Sequence, residues 1–140
     1  MPPTWREQYD RMLRWFERLH AAGEINEQRR DDFYAFFVTC FHLKDWLQND
    51  PLVSKSAGKK AEKLVNDKRS LQACADIANG VKHLVRTNKN LVRFDPDARL
   101  SIEPQGEIAI AALKKLWSAD MVAGRCVAHW QHFLRQEGLL

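Results

Sequence analysis

The sequence lacks any apolar run approaching the roughly 20 residues that a membrane-spanning helix needs. Residues 1–7 also lack the apolar core of a signal peptide. There is no Gly-rich phosphate loop, no G-x-S-x-G motif and no paired-carboxylate arrangement above background. These absences argue against a membrane protein, a P-loop nucleotidase and a serine hydrolase. They leave a cytoplasmic protein as the expectation.

Cysteine is scarce, and the three that occur are far apart in the sequence, with no C-x-x-C pair: Cys40, Cys74 and Cys126. An odd count without a secretion signal predicts reduced thiols. Each one lies in an apolar helical stripe, so we expect small, buried core residues. Cys126, His129 and His132 follow at three-residue steps, but they spread over about 120° of a helical wheel, which disfavours a metal site. The sequence predicts no metal and no cofactor.

Charge of one sign is not in large excess. The chain has 22 Lys and Arg against 18 Asp and Glu, a net charge of +4, and a pI of about 9.1. This balance permits an acidic partner without requiring one. With 45% hydrophobic residues, five Trp and seven Phe, the composition excludes intrinsic disorder. We expect a single domain over residues 1–140.

Apolar residues recur at three- and four-residue steps in four segments, which predicts four long helices. Thr4 and Glu7 have the spacing of a capping box, and Asn26 and Ser118 precede two further segments as candidate N-caps. The second segment has a wide apolar surface, which predicts a central helix. The expected helices span approximately residues 5–22, 26–48, 69–85 and 118–137.

The remaining segments are less regular. Residues 54–60 are basic and poor in apolar side chains, and indicate a connection. Residues 88–105 fit a small hairpin or an irregular excursion equally well. Residues 107–117 favour a helix over a strand. The predicted fold is all-α, a bundle of four to five helices with a short excursion around residues 88–105.

One polar strip has the most suggestive chemistry. Asp76, Asn79, His83 and Arg86 fall within about 80° of one another on the third helix. An acid-free basic stretch overlaps this strip and suits a phosphate backbone; its members are Lys82, Arg86, Lys89 and Arg93. A solvated helix face, with cations that favour the C-terminal end of the helix dipole, explains the same pattern. Both interpretations stay open at this point.

Two segments, residues 41–47 (FHLKDWL) and 74–83 (CADIANGVKH), resemble small bacterial helical proteins of the HEPN type. That family has an Arg, usually followed by a polar residue, and a His four to six residues beyond the Arg. Asn79 matches the polar residue and His83 the histidine, but Ala78 occupies the position of the arginine. The resemblance implies a dimeric helical bundle, in many members a metal-independent ribonuclease of toxin–antitoxin or phage-defence systems.

The resemblance also implies roles for individual residues. His83 is the candidate acid/base, Asn79 its positioning partner, and His42 and Asp45 a possible second pair from the facing helix. Because Ala78 supplies no guanidinium for phosphate charge, Lys82 or Arg86 would have to replace it. The expectation is a cytoplasmic homodimer that contacts RNA or another nucleic acid, active or catalytically silent.

Two hypotheses from other classes remain. In the first, the protein is a non-catalytic interaction module that docks a protein partner through Val38, Phe41 and Trp46. In the second, it is a regulatory protein that occupies the nucleic-acid site of another protein. Salt dependence separates them from direct RNA binding, because only phosphate contacts predict a steep loss of affinity with salt.

Overall fold

The computed structural model describes residues 3–82, 97–112 and 115–140 of the chain. Within these residues five helices pack beside a small antiparallel sheet, which confirms the predicted helical bundle with a short excursion. No helix in these three ranges is both apolar enough and long enough to cross a bilayer. The elements are α1 (Trp5–Leu19), α2 (Glu27–Asn49), α3 (Lys55–Asp67), α4 (Arg69–Lys82), β1 (Arg99–Ile102), β2 (Ile108–Ala112), β3 (Lys115–Ser118) and α5 (Ala119–Gln136).

Helix α2 is the centre of the bundle. It packs against α1, α3, α4, α5 and β1, as its wide apolar surface predicts. Its fully buried side chains include Phe36, Phe37, Cys40 and Leu43. The rings of Phe36 and Phe37 meet edge to face with centroids 5.3 Å apart, a favourable aromatic geometry. A single core therefore spans the described helices and the inner face of the sheet.

The sheet has the order β1-β2-β3, with β2 in the centre. β1 and β2 form a hairpin in which Gly106 has a φ of +87°, a conformation that glycine adopts without strain. The expectation of a helix over residues 107–117 is wrong, because β2 and β3 occupy that stretch. Ile108, Ala109 and Ile110 are buried in β2, and such a short apolar run fits a buried strand and a helix equally well by pattern. Residues 91–94, which would form the first strand of the hairpin expected within residues 88–105, lie outside the described residues.

Side-chain caps confirm two of the predicted helix starts. The side chain of Asn26 accepts a hydrogen bond from the Arg29 amide at the start of α2, and Ser118 caps α5 in the same way. Thr4 is the N-cap residue of α1, but its side chain makes no capping hydrogen bond. Instead the amide of Trp5 donates to Asp50 Oδ2 at 3.0 Å. A carboxylate from the end of α2 therefore replaces the expected capping box.

Helix α3 begins at Lys55, within residues 54–60 that were expected to be a connection, so that expectation is also wrong. Ser54 accepts a hydrogen bond from the amide of Ala57 and starts the helix. The buried face of α3 consists of small and medium residues: Ala57, Gly58, Ala61 and Val65. A Cβ atom at Gly58 would lie 3.3 Å from the Cα of Gln48, so the two helices approach closely there. Burial through small residues leaves a weak hydrophobic signal in the sequence.

Candidate functional site: a cationic cavity beside a buried cysteine cluster

Neither of the two described residues of the polar strip, Asp76 and Asn79, is fully exposed to solvent. Asp76 is only 3% exposed, and Asn79 is half-buried, with its Nδ2 donating to the carbonyl of Ala75 at 2.9 Å. Ala78, which stands where the resemblance expects an arginine, is buried in the core. A longer side chain at that position would have to displace core atoms before it could contact a phosphate.

The other residues proposed for catalysis or phosphate binding cannot be placed. His83, Arg86, Lys89 and Arg93 lie outside the described residues, and Lys82 is the last residue of α4, with its side chain outside the description as well. Their predicted roles therefore remain predictions.

The two candidate partners on α2 lie on its less buried side. His42 is half-buried, and its ring centroid lies 5.5 Å from that of Phe41. Asp45 lines a depression with Trp46 and Asn49, and its backbone carbonyl accepts a hydrogen bond from the Asn49 side chain.

The apolar residues proposed as a docking surface on α2 are largely covered within the chain. Phe41 is buried, and Val38 and Trp46 are partly buried against the core. The guanidinium of Arg11 lies 5.6 Å from the ring centroid of Trp46, close enough for a cation–π contact. The interaction-module hypothesis therefore has less exposed apolar surface at these residues than the sequence indicates.

A cavity of about 360 Å³ lies where α4, α5 and the sheet meet. We call it the cationic cavity, because three of its described lining residues are cations: Arg69, Lys115 and Arg125. Asp76 is the acidic residue of that described lining. This volume lies at the lower end of the range for small-molecule sites.

Three elements bring these side chains together. Arg69 lies in the first turn of α4, and Arg125 lies in the second turn of α5. Lys115 and Trp117 project from the same face of β3, because alternate residues of a strand share a face. Trp117 is only half-buried, so its ring is available at the cavity wall. The arrangement combines positive charge, an aromatic surface and a buried carboxylate in one concave site.

His129 lies one helical turn beyond Arg125 on α5. The pKa of His129 is lowered from its ordinary value by partial burial and by the charges of Lys68, Arg125 and His132. His129 is therefore neutral at pH 7.

A second group of cations lies on the outer side of α1. Arg11, Arg14 and Arg18 line an open depression with Trp15 and His20. Arg18 pairs with the buried Asp32 at 3.3 Å, and His20 Nε2 lies 2.9 Å from Asp120. We call this surface the α1 arginine face.

All three cysteines of the chain meet in the core. Cys40 comes from α2, Cys74 from α4 and Cys126 from α5, and the three sulfur atoms lie within 4.8 Å of one another. The thiols are free and fully buried, as predicted for core cysteines. Cys74 donates to the carbonyl of Phe37, and Cys126 donates to the carbonyl of Ser70, which lines the cationic cavity. We call the three residues the cysteine cluster.

The thiols of the cysteine cluster are not equivalent. Burial raises the pKa of Cys40, but the polar groups of Cys126, Cys74 and Trp130 outweigh burial and lower the pKa below its ordinary value. Burial and the neighbouring thiols raise the pKa of Cys74 and Cys126 well above the ordinary value. Two negative charges this close together are unfavourable, so the ionisation of one thiol opposes that of the others.

Trp130 completes the surroundings of the cysteine cluster. Its ring is fully buried, and its indole N–H has no acceptor at full hydrogen-bond distance. Trp130 lies one helical turn beyond Cys126 on α5, so the two side chains share a face of that helix. A buried donor without an acceptor costs about 1–3 kcal/mol, so this arrangement requires an explanation.

No family model, no curated protein and no solved structure matches this chain. The functional argument therefore rests on the described residues alone. Sequence analysis missed the cationic cavity because Arg69, Lys115 and Arg125 are separated by up to 56 positions and converge only in the fold. Trp117 packs against the core, and only the tertiary fold places it at the cavity as well.

Proposed function

We propose that the protein binds RNA and that the cationic cavity holds one nucleotide of it. The observation that carries this proposal is the grouping of Arg69, Lys115 and Arg125 with the partly buried Trp117 around one cavity. Guanidinium and ammonium groups neutralise phosphates, and an aromatic face stacks on any base.

Binding has more support than cleavage among the described residues. Asn79 uses its amide within its own helix, and Ala78 faces the core, so neither is directed at a phosphate. The proposal is therefore closest to a catalytically silent relative of a HEPN-type ribonuclease. A gel assay with end-labelled RNA checks this part, because cleavage that disappears in His83→Ala would instead support the ribonuclease.

The binding test uses a fluorescently labelled single-stranded RNA and measures anisotropy against protein concentration. We expect Arg125→Gln and Lys115→Gln each to weaken binding several-fold, because each removes one phosphate contact. The matched control is Arg14→Gln, which removes an exposed arginine from the α1 arginine face. Failure of the wild-type protein to bind RNA, or a larger loss in Arg14→Gln than in Arg125→Gln, would contradict the proposed site.

Salt dependence separates this mode from the docking of a protein partner. For single-stranded nucleic acid, a plot of log K against log salt concentration has a negative slope, and each phosphate contact adds about 0.7 to its magnitude. We expect Arg125→Gln to reduce the slope by about that amount, whereas Trp117→Leu should lower the affinity and leave the slope unchanged. Circular dichroism controls for folding, because Trp117 also packs against the core.

The homodimer that the resemblance implies belongs to the same proposal. Light scattering coupled to gel filtration measures the mass directly against the 16.3 kDa of one chain. We expect twice that mass. A mass of one chain at micromolar concentration would remove the dimer and leave the RNA site to be tested by itself.

A further inference from the structure

The cysteine cluster has features that a merely space-filling set of thiols does not need. The chain has three cysteines, and the fold brings all of them to one point from three different helices. Their sulfur atoms face one another within 4.8 Å. Thiolates bind zinc-type ions at about 2.3 Å, which places the sulfurs around one ion about 4 Å apart. The cluster reaches this geometry through movements of less than about 1 Å.

The indole N–H of Trp130 is the second, independent observation. It is fully buried, has no hydrogen-bond acceptor among the described residues, and belongs to a side chain one helical turn beyond Cys126 on the same face of α5. A metal-bound thiolate keeps enough negative charge to accept a hydrogen bond, so a small inward adjustment would satisfy this donor.

Charge determines the class of ion. Three thiols that bind one divalent ion release three protons and form a complex of net charge −1. A monovalent ion such as Cu(I) would leave a charge of −2 with three thiolates, which is more costly to bury. The single buried N–H donor of Trp130 suits a complex of net charge −1 better than one of −2.

We propose that Cys40, Cys74 and Cys126 form a binding site for one thiophilic divalent ion of the zinc type, with the Trp130 N–H as an outer hydrogen-bond donor. The His, Asp and Glu residues in the described part of the chain add no fourth ligand to this group. The remaining coordination position therefore goes to a small exogenous ligand. Because α2, α4 and α5 each contribute one sulfur, the bound ion would cross-link the centre of the bundle.

The site is independent of RNA, so its test uses the reduced, metal-free protein and the metal alone. Co²⁺ is titrated first, because thiolate-to-cobalt charge transfer reports sulfur ligation and the visible bands report coordination number. Zn²⁺ is then used to displace it. We expect one ion per chain, release of protons on Zn²⁺ binding in weak buffer, and a higher thermal midpoint with zinc.

The variants separate this site from other ligand sets. Trp130→Phe keeps the ring and removes the N–H, so we expect a 10- to 100-fold loss of zinc affinity. Cys126→Ala should abolish the charge-transfer band. His129→Gln and His132→Gln are the matched controls and should leave affinity unchanged, since neither histidine belongs to the cluster.

Four results would overturn the proposal: no charge-transfer band, less than one ion per chain, loss of binding in a histidine variant, or binding of Cu(I) without Zn²⁺. The thermal shift and the proton count use the wild-type protein. They keep the proposal testable if a cysteine variant fails to fold.

Discussion

The carboxylate of Asp50 is the cap of helix α1, and its removal is the sharpest test of how the bundle is held together. Asp50 Oδ2 accepts the amide of Trp5 at 3.0 Å, and Oδ1 accepts the amide of Leu52 at 2.9 Å. The residue is only 7% exposed, so water replaces these bonds poorly. Hydrogen bonds to charged groups contribute about 1.5–3 kcal/mol each. We expect Asp50→Ala to lower the free energy of unfolding by about 3 kcal/mol, the lower end of that sum.

Urea unfolding followed by circular dichroism measures this change. With a slope of roughly 2 kcal/mol per molar urea, the midpoint should fall by about 1.5 M. The matched control is Thr4→Ala, because Thr4 occupies the N-cap position without a capping hydrogen bond. A side-chain cap would be worth about 1 kcal/mol, whereas an uninvolved surface residue changes stability by less than about 0.5 kcal/mol. If Thr4→Ala costs as much as Asp50→Ala, the capping assignment is wrong.

Three further predictions follow from local environments. Gly124→Ala should stabilise the protein by about 0.5–1 kcal/mol in urea unfolding, because the added Cβ has open space within a helix. Gly58→Ala should give no such gain, because its Cβ would lie 3.3 Å from the Cα of Gln48. Equal gains would refute the close approach. Folding lowers the pKa of His129, so the imidazole is protonated in the unfolded chain before it is in the folded one as the pH falls below about 6.5, and the protein loses stability there. The loss of stability between pH 7.5 and pH 5.5 should be smaller in His129→Gln. An unchanged or larger loss would contradict the lowered pKa. The three buried thiols of the metal-free protein should react with a disulfide reagent such as DTNB only as fast as the protein opens, and rapid reaction in native buffer would contradict their burial.

Helices with strong periodicity and a side-chain cap were predictable from the sequence. Asn26 and Ser118 mark the starts of α2 and α5 because a short polar side chain satisfies an amide that the helix itself leaves unpaired. Thr4 has the same local signature, but Asp50, 45 residues beyond Trp5, provides the hydrogen bond instead. A local pattern cannot reveal a competitor that arrives through the tertiary fold.

The two incorrect predictions, a connection over residues 54–60 and a helix over residues 107–117, also arose because local patterns do not show tertiary packing. Helix α3 buries its surface through Ala57, Gly58 and Ala61, whose small side chains give little hydrophobic signal although their burial is nearly complete. Strand β2 is a short apolar run, and only its pairing with β1 and β3 determines that it is a strand. Burial of the individual cysteines was predictable from their apolar stripes, whereas their convergence required the packing of three helices.

One spectrum tests the central claim, that RNA binds at the cationic cavity and a metal ion binds separately in the core. The five tryptophan indole N–H groups give resolved signals in a ¹H–¹⁵N correlation spectrum and lie in different parts of the fold. We expect a short RNA to shift the Trp117 signal most and to leave Trp15, on the α1 arginine face, unchanged. Zinc should shift the Trp130 signal most. A shift of Trp15 by RNA with Trp117 unmoved would contradict the account.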